Sequence, residues 1–302
     1  MSSNSHSSQN MKKVIITGAD GQLGYELQRT VLAGYECIAT DKDDLDITNA
    51  DAVMAFVTKT KPDVIINSAA YTAVDKAEED VELATAINST GAANLAQVCK
   101  DTVVNGKAIQ FMQISTDFVF DGKAHTPYLV DAPAEPEGMY GKTKQEGDEQ
   151  VLKILGDDAF IIRTSWLYSA HGNNFVKTML RFMAEREELG IIADQIGTPT
   201  WANSLAQAVW QAIDNNVTGI HHWSDAGVAS WYDFAYAIME EGIELGLLDK
   251  EITLNAITTA DYPTPASRPC YSVMDKTTTW KALAFKSEHW RVALRKMMSE
   301  LV

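Results

Sequence analysis

The turn Thr17-Gly18-Ala-Asp-Gly21-Gln-Leu-Gly24 constrains this chain most, because it joins the β-branched run 12–17 to Leu23, Leu27, Val31 and Leu32 at helical spacing over residues 22–32. Strand, glycine turn and helix in that order present backbone N–H groups at a helix N-terminus, and missing Cβ atoms let a pyrophosphate approach them. The alternation continues. Residues 35–40 read as strand, 49–58 as a helix after a Thr48/Asn49 cap, 63–67 as a buried strand after Pro62, 81–100 as helix, and 108–114 and 160–164 as strands. Such a pattern predicts an α/β fold, a parallel sheet covered on both faces, with ligands at the carboxyl ends of its strands.

Beyond Arg163 the pattern loosens, and helices are expected over 174–188, 205–213, 231–245 and 280–298 with short apolar runs between them. We expect residues 11–165 to form a dinucleotide-binding domain and 166–302 a smaller substrate domain, with 191–222 returning to the first. The Ser/Asn-rich residues 1–10 read as a disordered tail.

Charge narrows the partners. A formal net charge of −16 repels polyphosphate backbones and anionic lipid surfaces, so neither nucleic acid nor membrane is expected. An anionic ligand must then be met locally, and the glycine turn meets it. Cys37, Cys99 and Cys270 are odd in number and widely spaced, which fits a cytoplasmic chain without disulfides or a zinc cluster. His221 and His222 are adjacent in an expected strand, point to opposite faces and are not expected to share a metal. The acidic run from Glu78 to Asp80 reads as a solvated helix start.

Three further positions carry chemistry. Asp41 closes the second strand about 20 residues after the glycine turn, where a carboxylate accepts from an adenosine ribose hydroxyl and disfavours a 2′-phosphate, although Lys42 softens that preference. Tyr140 and Lys144 are one helical turn apart, so an ammonium beside the phenol is expected to depress its pKa. Thr116 ends the strand after Ile114 and offers a hydroxyl at the same sheet edge. Each feature has a plainer reading: a tight turn, a surface tyrosine, a turn cap. Together they favour a site.

The combination resembles the extended short-chain dehydrogenase/reductase family. Further stretches are similar to its dTDP-4-dehydrorhamnose reductase branch: Leu45-Asp-Ile-Thr48, Asn67-Ser-Ala-Ala-Tyr-Thr72, Val74-Asp-Lys-Ala-Glu78, Ser115-Thr-Asp-Phe-Val-Phe-Asp-Gly122, Arg163-Thr-Ser-Trp166, Asp194-Gln195, Gly197-Thr-Pro-Thr200 and Arg268-Pro269. The resemblance implies a Rossmann-type doubly wound parallel sheet with a smaller C-terminal α/β substrate domain. It implies that Gly18, Gly21, Gln22, Leu23 and Gly24 hold a pyrophosphate, that Asp41 faces the ribose, that Asp46 and Ile47 flank the adenine, and that Ala69, Ala70 and Tyr71 line the cofactor. Lys144 would also bind the nicotinamide ribose. Thr116, Asp117 and Tyr140 would surround a sugar carbonyl, Trp166 would pack on the hexose, and Val74, Asn174 and Gln195 would line the remaining pocket.

The implied activity is NADH- or NADPH-dependent reduction of the C4 ketone of a dTDP-sugar, with Thr116, Tyr140 and Lys144 catalytic. Magnesium and a homodimer are compatible with the resemblance, which locates neither. Phe118, Ser68, Val130 and Ala132 depart from the branch's usual residues, which bears on substrate preference. Two alternatives remain open at this point: another nucleotide-sugar ketoreductase or epimerase, and a non-catalytic regulatory subunit of methionine adenosyltransferase.

Overall fold

Strands buried on both faces build the central sheet of the computed structural model, which describes residues 11–302 and leaves the expected tail outside. Its six strands run in the order Gly219–His222, Phe160–Thr164, Gln110–Thr116, Val64–Asn67, Lys12–Thr17 and Tyr35–Thr40, all parallel. The chain reverses its progress across the sheet between Lys12–Thr17 and Val64–Asn67, and a crevice opens there at the carboxyl edge. Thr17, Asn67 and Gln113 stand in register along that edge. Their side chains form a buried ladder, with Thr17 donating to Asn67 at 2.8 Å and Asn67 to Gln113 at 2.8 Å.

One sheet face packs Ile15, Ile65, Phe111 and Ile161 against Val53, Leu95 and Val151. The other packs Val14, Ile66, Met112 and Ile162 against Leu27, Leu205, Val209 and Trp210. Helix Ala202–Asp214 and strand Gly219–His222 are the segment through which the chain comes back to this first body. Helix Thr277–Leu283 joins it too, through Leu283, Trp280 and Phe285, a return that the sequence reading does not contain. The second body centres on helices Phe175–Glu185, Trp231–Glu244 and Trp290–Ser299, with a parallel pair of strands, Glu188–Ile192 and Thr253–Ile257.

Four helices differ from expectation, the first of them ending at Arg29 rather than residue 32. The expected run 81–100 is interrupted by a π turn at Ala86–Gly91, which aims Asn88 at Thr143 and the Tyr71 backbone. The expected run 280–298 is two helices, because Ala284 adopts φ 48° and sends Phe285 back into the first core. The expected helix 174–188 stops at Glu185, and Glu188 begins a strand. Among the described residues no helix is long and apolar enough to cross a membrane.

Candidate active site

The crevice is a cavity of about 1030 Å³ along the carboxyl ends of the strands. Its floor is the glycine turn. Gly18 has φ +64° and lies against Ala69, so a Cβ there would come within 2.8 Å of the Ala69 Cα. Gly24 lies so close to Gly18 and Ala19 that a side chain would strike their backbone. With Gly21 free of a side chain as well, helix Gln22–Arg29 turns its N-terminus to the open space. This cradle fits a dinucleotide pyrophosphate.

Asp41 lines the cavity with Lys42, Asp43, Asp46 and Ile47. Its Oδ2 accepts from the Asp20 N–H at 3.1 Å and its Oδ1 from the Lys42 N–H at 2.7 Å, which ties the second strand's end to the glycine turn. Ala69 and Ala70 line the wall after the third strand. Tyr71 does not. Its hydroxyl donates to Asp80 at 2.7 Å on the outer surface, while its backbone N–H donates to Asn88.

Thr116, Asp117, Tyr140 and Lys144 share one wall. Thr116 and Asp117 arrive at the end of Gln110–Thr116, and the other two on the first turns of helix Met139–Leu155. The Thr116 hydroxyl donates to Asp117 at 3.2 Å and accepts from the Phe118 N–H at 3.2 Å. Lys144 is buried, and its Nζ donates to the Ile114 carbonyl at 2.7 Å. Burial holds this ammonium below its ordinary pKa, opposed by the Asp148 charge.

The phenol behaves differently from the sequence reading. Burial pushes Tyr140 up to about 12, opposed by the Thr116 hydrogen bond and reinforced by the Asp117 and Asp148 charges. No depression by Lys144 opposes the burial, and that ammonium is engaged by the Ile114 carbonyl. Tyr140 therefore stays protonated through neutral pH, the form a proton donor needs. Burial raises Asp117 to about 6, against hydrogen bonds from Ser272 and Thr116.

Of the expected sugar contacts, Val74, Trp166 and Asn174 line the same cavity. Asn174 is fully engaged, however. Its Oδ1 caps helix Phe175–Glu185 through the Lys177 N–H at 3.1 Å, and its Nδ2 donates to Gln22 at 2.9 Å and to the Ser169 carbonyl at 2.7 Å. It braces the glycine turn. Gln195 lies outside the lining: it is buried, with Nε2 donating to Thr259 at 3.1 Å. The cavity also includes Leu83, Phe118, Ser165 and Asn173, whose types carry no chemical signal in sequence.

Glu78 reverses its expected role as a solvated acid. Its Oε1 accepts from the Met139 N–H at 2.8 Å and caps the helix that presents Tyr140. Nearby, Asp75 takes both Arg268 Nη atoms, at 3.0 and 2.7 Å, tying the loop around Arg268 to the first body. Among the described residues no group of three or more His, Cys, Asp or Glu side chains is placed to hold a metal ion.

A doubly wound parallel sheet, a glycine cradle and a hydroxyl, phenol and ammonium on one wall define an oxidoreductase of the short-chain dehydrogenase/reductase class. The chain belongs to the family described as the RmlD substrate binding domain, whose model matches residues 11–302. It is 41% identical over 293 residues to a dTDP-4-dehydrorhamnose reductase of Aggregatibacter actinomycetemcomitans, covering 94% of this chain and 98% of that one. It is also 41% identical to the spore coat polysaccharide biosynthesis protein SpsK of Bacillus subtilis, covering 96% of this chain and 98% of that one. Among solved structures, dTDP-4-dehydrorhamnose reductase of Bacillus anthracis in complex with NADP superposes with a TM-score of 0.89 at 36% identity, covering 96% of this chain and 99% of that one.

Proposed function

We propose that this protein reduces the C4 ketone of dTDP-4-dehydro-L-rhamnose to dTDP-L-rhamnose with NADH or NADPH. The observation that carries the reading is the single cavity in which the glycine cradle and the Thr116, Tyr140 and Lys144 wall face the same space. When bound, the reduced nicotinamide supplies the hydride to the carbonyl carbon. Tyr140 donates its phenolic proton to the carbonyl oxygen, and Thr116 donates a hydrogen bond to the same oxygen. Lys144 holds the nicotinamide ribose. Trp166 and Val74 face the hexose.

The relatives' names support the substrate class, and the retained Thr116, Tyr140 and Lys144 set argues against a purely regulatory binding role. The cytoplasm suits this reading, since it keeps nicotinamide cofactors and the free thiols of Cys37, Cys99 and Cys270 reduced. The test is spectrophotometric oxidation of NADH and of NADPH with dTDP-4-dehydrorhamnose. One cofactor consumed per sugar reduced supports the reductase. Interconversion of sugars with no net oxidation would make it an epimerase, and absence of both reactions would defeat the reading.

A further inference from the structure

The loop 262–269 leaves the second body after strand Thr253–Ile257 and crosses to the first, and its contacts there fall on residues that adjoin the active wall without lining the cavity. Asp75 is the main anchor. Its Oδ1 accepts from Arg268 Nη1 at 3.0 Å and from the Ala266 N–H at 3.2 Å, and its Oδ2 accepts from Arg268 Nη2 at 2.7 Å. Arg268 Nη1 also donates to the Ala266 carbonyl at 3.2 Å, and the Thr264 hydroxyl donates to the same carbonyl at 2.9 Å, so the loop is folded behind its guanidinium. A lone surface ion pair contributes little, but a two-point guanidinium grip on a carboxylate that takes a third hydrogen bond fixes direction as well as distance.

Two further contacts flank the grip. Ser267 donates to Glu137 Oε2 at 2.7 Å, and Pro269 lies so close to Gly122 that a Cβ on that glycine would come within 2.7 Å of the Pro269 Cα. Each anchor stands beside a working part of the site. Asp75 follows Val74 of the cavity wall, Glu137 precedes the Gly138 N-cap of the Tyr140 helix, and Gly122 comes shortly after the turn Asp117–Val119. Beyond the loop, Cys270 and Ser272 exchange backbone hydrogen bonds of 2.8 Å with Ile196, next to the Gly197 that packs on the Trp166 ring. One short strap thus joins the support of Trp166 to the support of Tyr140, the two walls that face the sugar.

We propose that Asp75 and Arg268 are positioning residues of the reductase: their pairing clasps the second body to the wall that carries Tyr140 and so sets the width of the sugar end of the cavity. The proposal rests on the reductase reading. Neither residue lines the cavity, so both act through Val74 and the Tyr140 helix rather than by touching the sugar. Two bodies of one chain move relative to each other unless something ties them, and this clasp is a tie at the site itself.

The test uses the full chain. Arg268→Ala and Asp75→Ala should each raise the KM for dTDP-4-dehydrorhamnose by about tenfold, with the Kd for NADPH at its wild-type value because the glycine cradle is untouched. The double variant should be no worse than either single one, since the partners act as a unit, and Arg268→Lys, which keeps the charge without the two-point grip, should recover only part of the loss. Hydrogen exchange in the absence of ligand supplies a second readout: in both single variants the segments 136–142 and 264–270 should exchange faster together. Losses that multiply in the double variant would show the two residues acting independently and would overturn the proposal. So would a sugar KM at the wild-type value, a Kd for NADPH that rises in step with it, or exchange in 136–142 that matches wild type. Wild type that binds NADPH yet leaves dTDP-4-dehydrorhamnose unreduced would defeat the reductase reading, while the exchange rates would still report on the clasp.

Discussion

Tyr140 and Asp117 sit on one wall, and burial pushes both toward their protonated forms. For Tyr140 this keeps the acid loaded. Tyr140→Phe retains the ring and its edge contact with Phe118 and deletes the proton, so kcat should fall by about 10²–10⁴-fold with the Kd for NADPH nearly unchanged. Turnover at the wild-type rate would remove Tyr140 from the mechanism. For Asp117 the consequence is a stability that depends on pH. The folded carboxyl titrates at about 6 and the unfolded one at about 4, so the native state binds the proton more tightly. Its contribution is complete below the unfolded value and is lost as pH rises through the folded one. Asp117→Asn removes this loss and should gain about 2–3 kcal/mol relative to wild type between about pH 4 and about pH 7. Denaturant melts at the two pH values measure it, and parallel behaviour of both proteins would contradict the assignment.

At the scale of elements, the Tyr140 helix is held at its first turn from outside itself. Gly138 at the N-cap has no side chain to offer, and Glu78 supplies the missing acceptor from a turn sixty residues upstream in sequence. Glu78→Ala should cost about 1 kcal/mol, as cap deletions do, and lower kcat more than it changes the KM for NADPH. Glu78→Gln, which keeps an acceptor oxygen, should recover most of both, and equal losses in the two variants would show that the cap is not what matters. Nothing in sequence distinguishes Glu78 from its acidic neighbours, because its partner is set by tertiary packing. Strands Lys12–Thr17, Val64–Asn67 and Phe160–Thr164 were legible for the opposite reason: they are largely buried on both faces and read as apolar β-branched runs ending at a glycine or a polar residue. The pair Glu188–Ile192 and Thr253–Ile257 escaped notice because its strands are distant in sequence and half exposed, so neither makes an apolar run. The π turn and the left-handed Ala284 leave apolar spacing nearly intact, and periodicity reads across both.

For the whole molecule, the cavity wall that closes the crevice comes from the second body, and Trp166 is where the two meet. It follows strand Phe160–Thr164 with φ 45°, a conformation uncommon outside glycine, and its ring stacks on Trp231 at 3.6 Å and 8°. Gly197 approaches the same ring so closely that a Cβ there would lie 2.7 Å from it. The family resemblance implies a sugar-binding indole, and the geometry adds a second position for this residue: it packs against the second core and also lines the cavity. Trp166→Ala should therefore do two things. It should lower stability by about 3 kcal/mol, near the lower end for aromatic truncations because the ring is only partly buried, and it should raise the KM for the dTDP-sugar by about tenfold. Trp166→Phe separates the effects. A phenyl ring still stacks on Trp231 and should recover most of the melting temperature, but its smaller face reaches less of the cavity and should leave the sugar KM raised. If instead both variants bind the sugar as wild type does while losing stability, Trp166 serves only to join the two bodies.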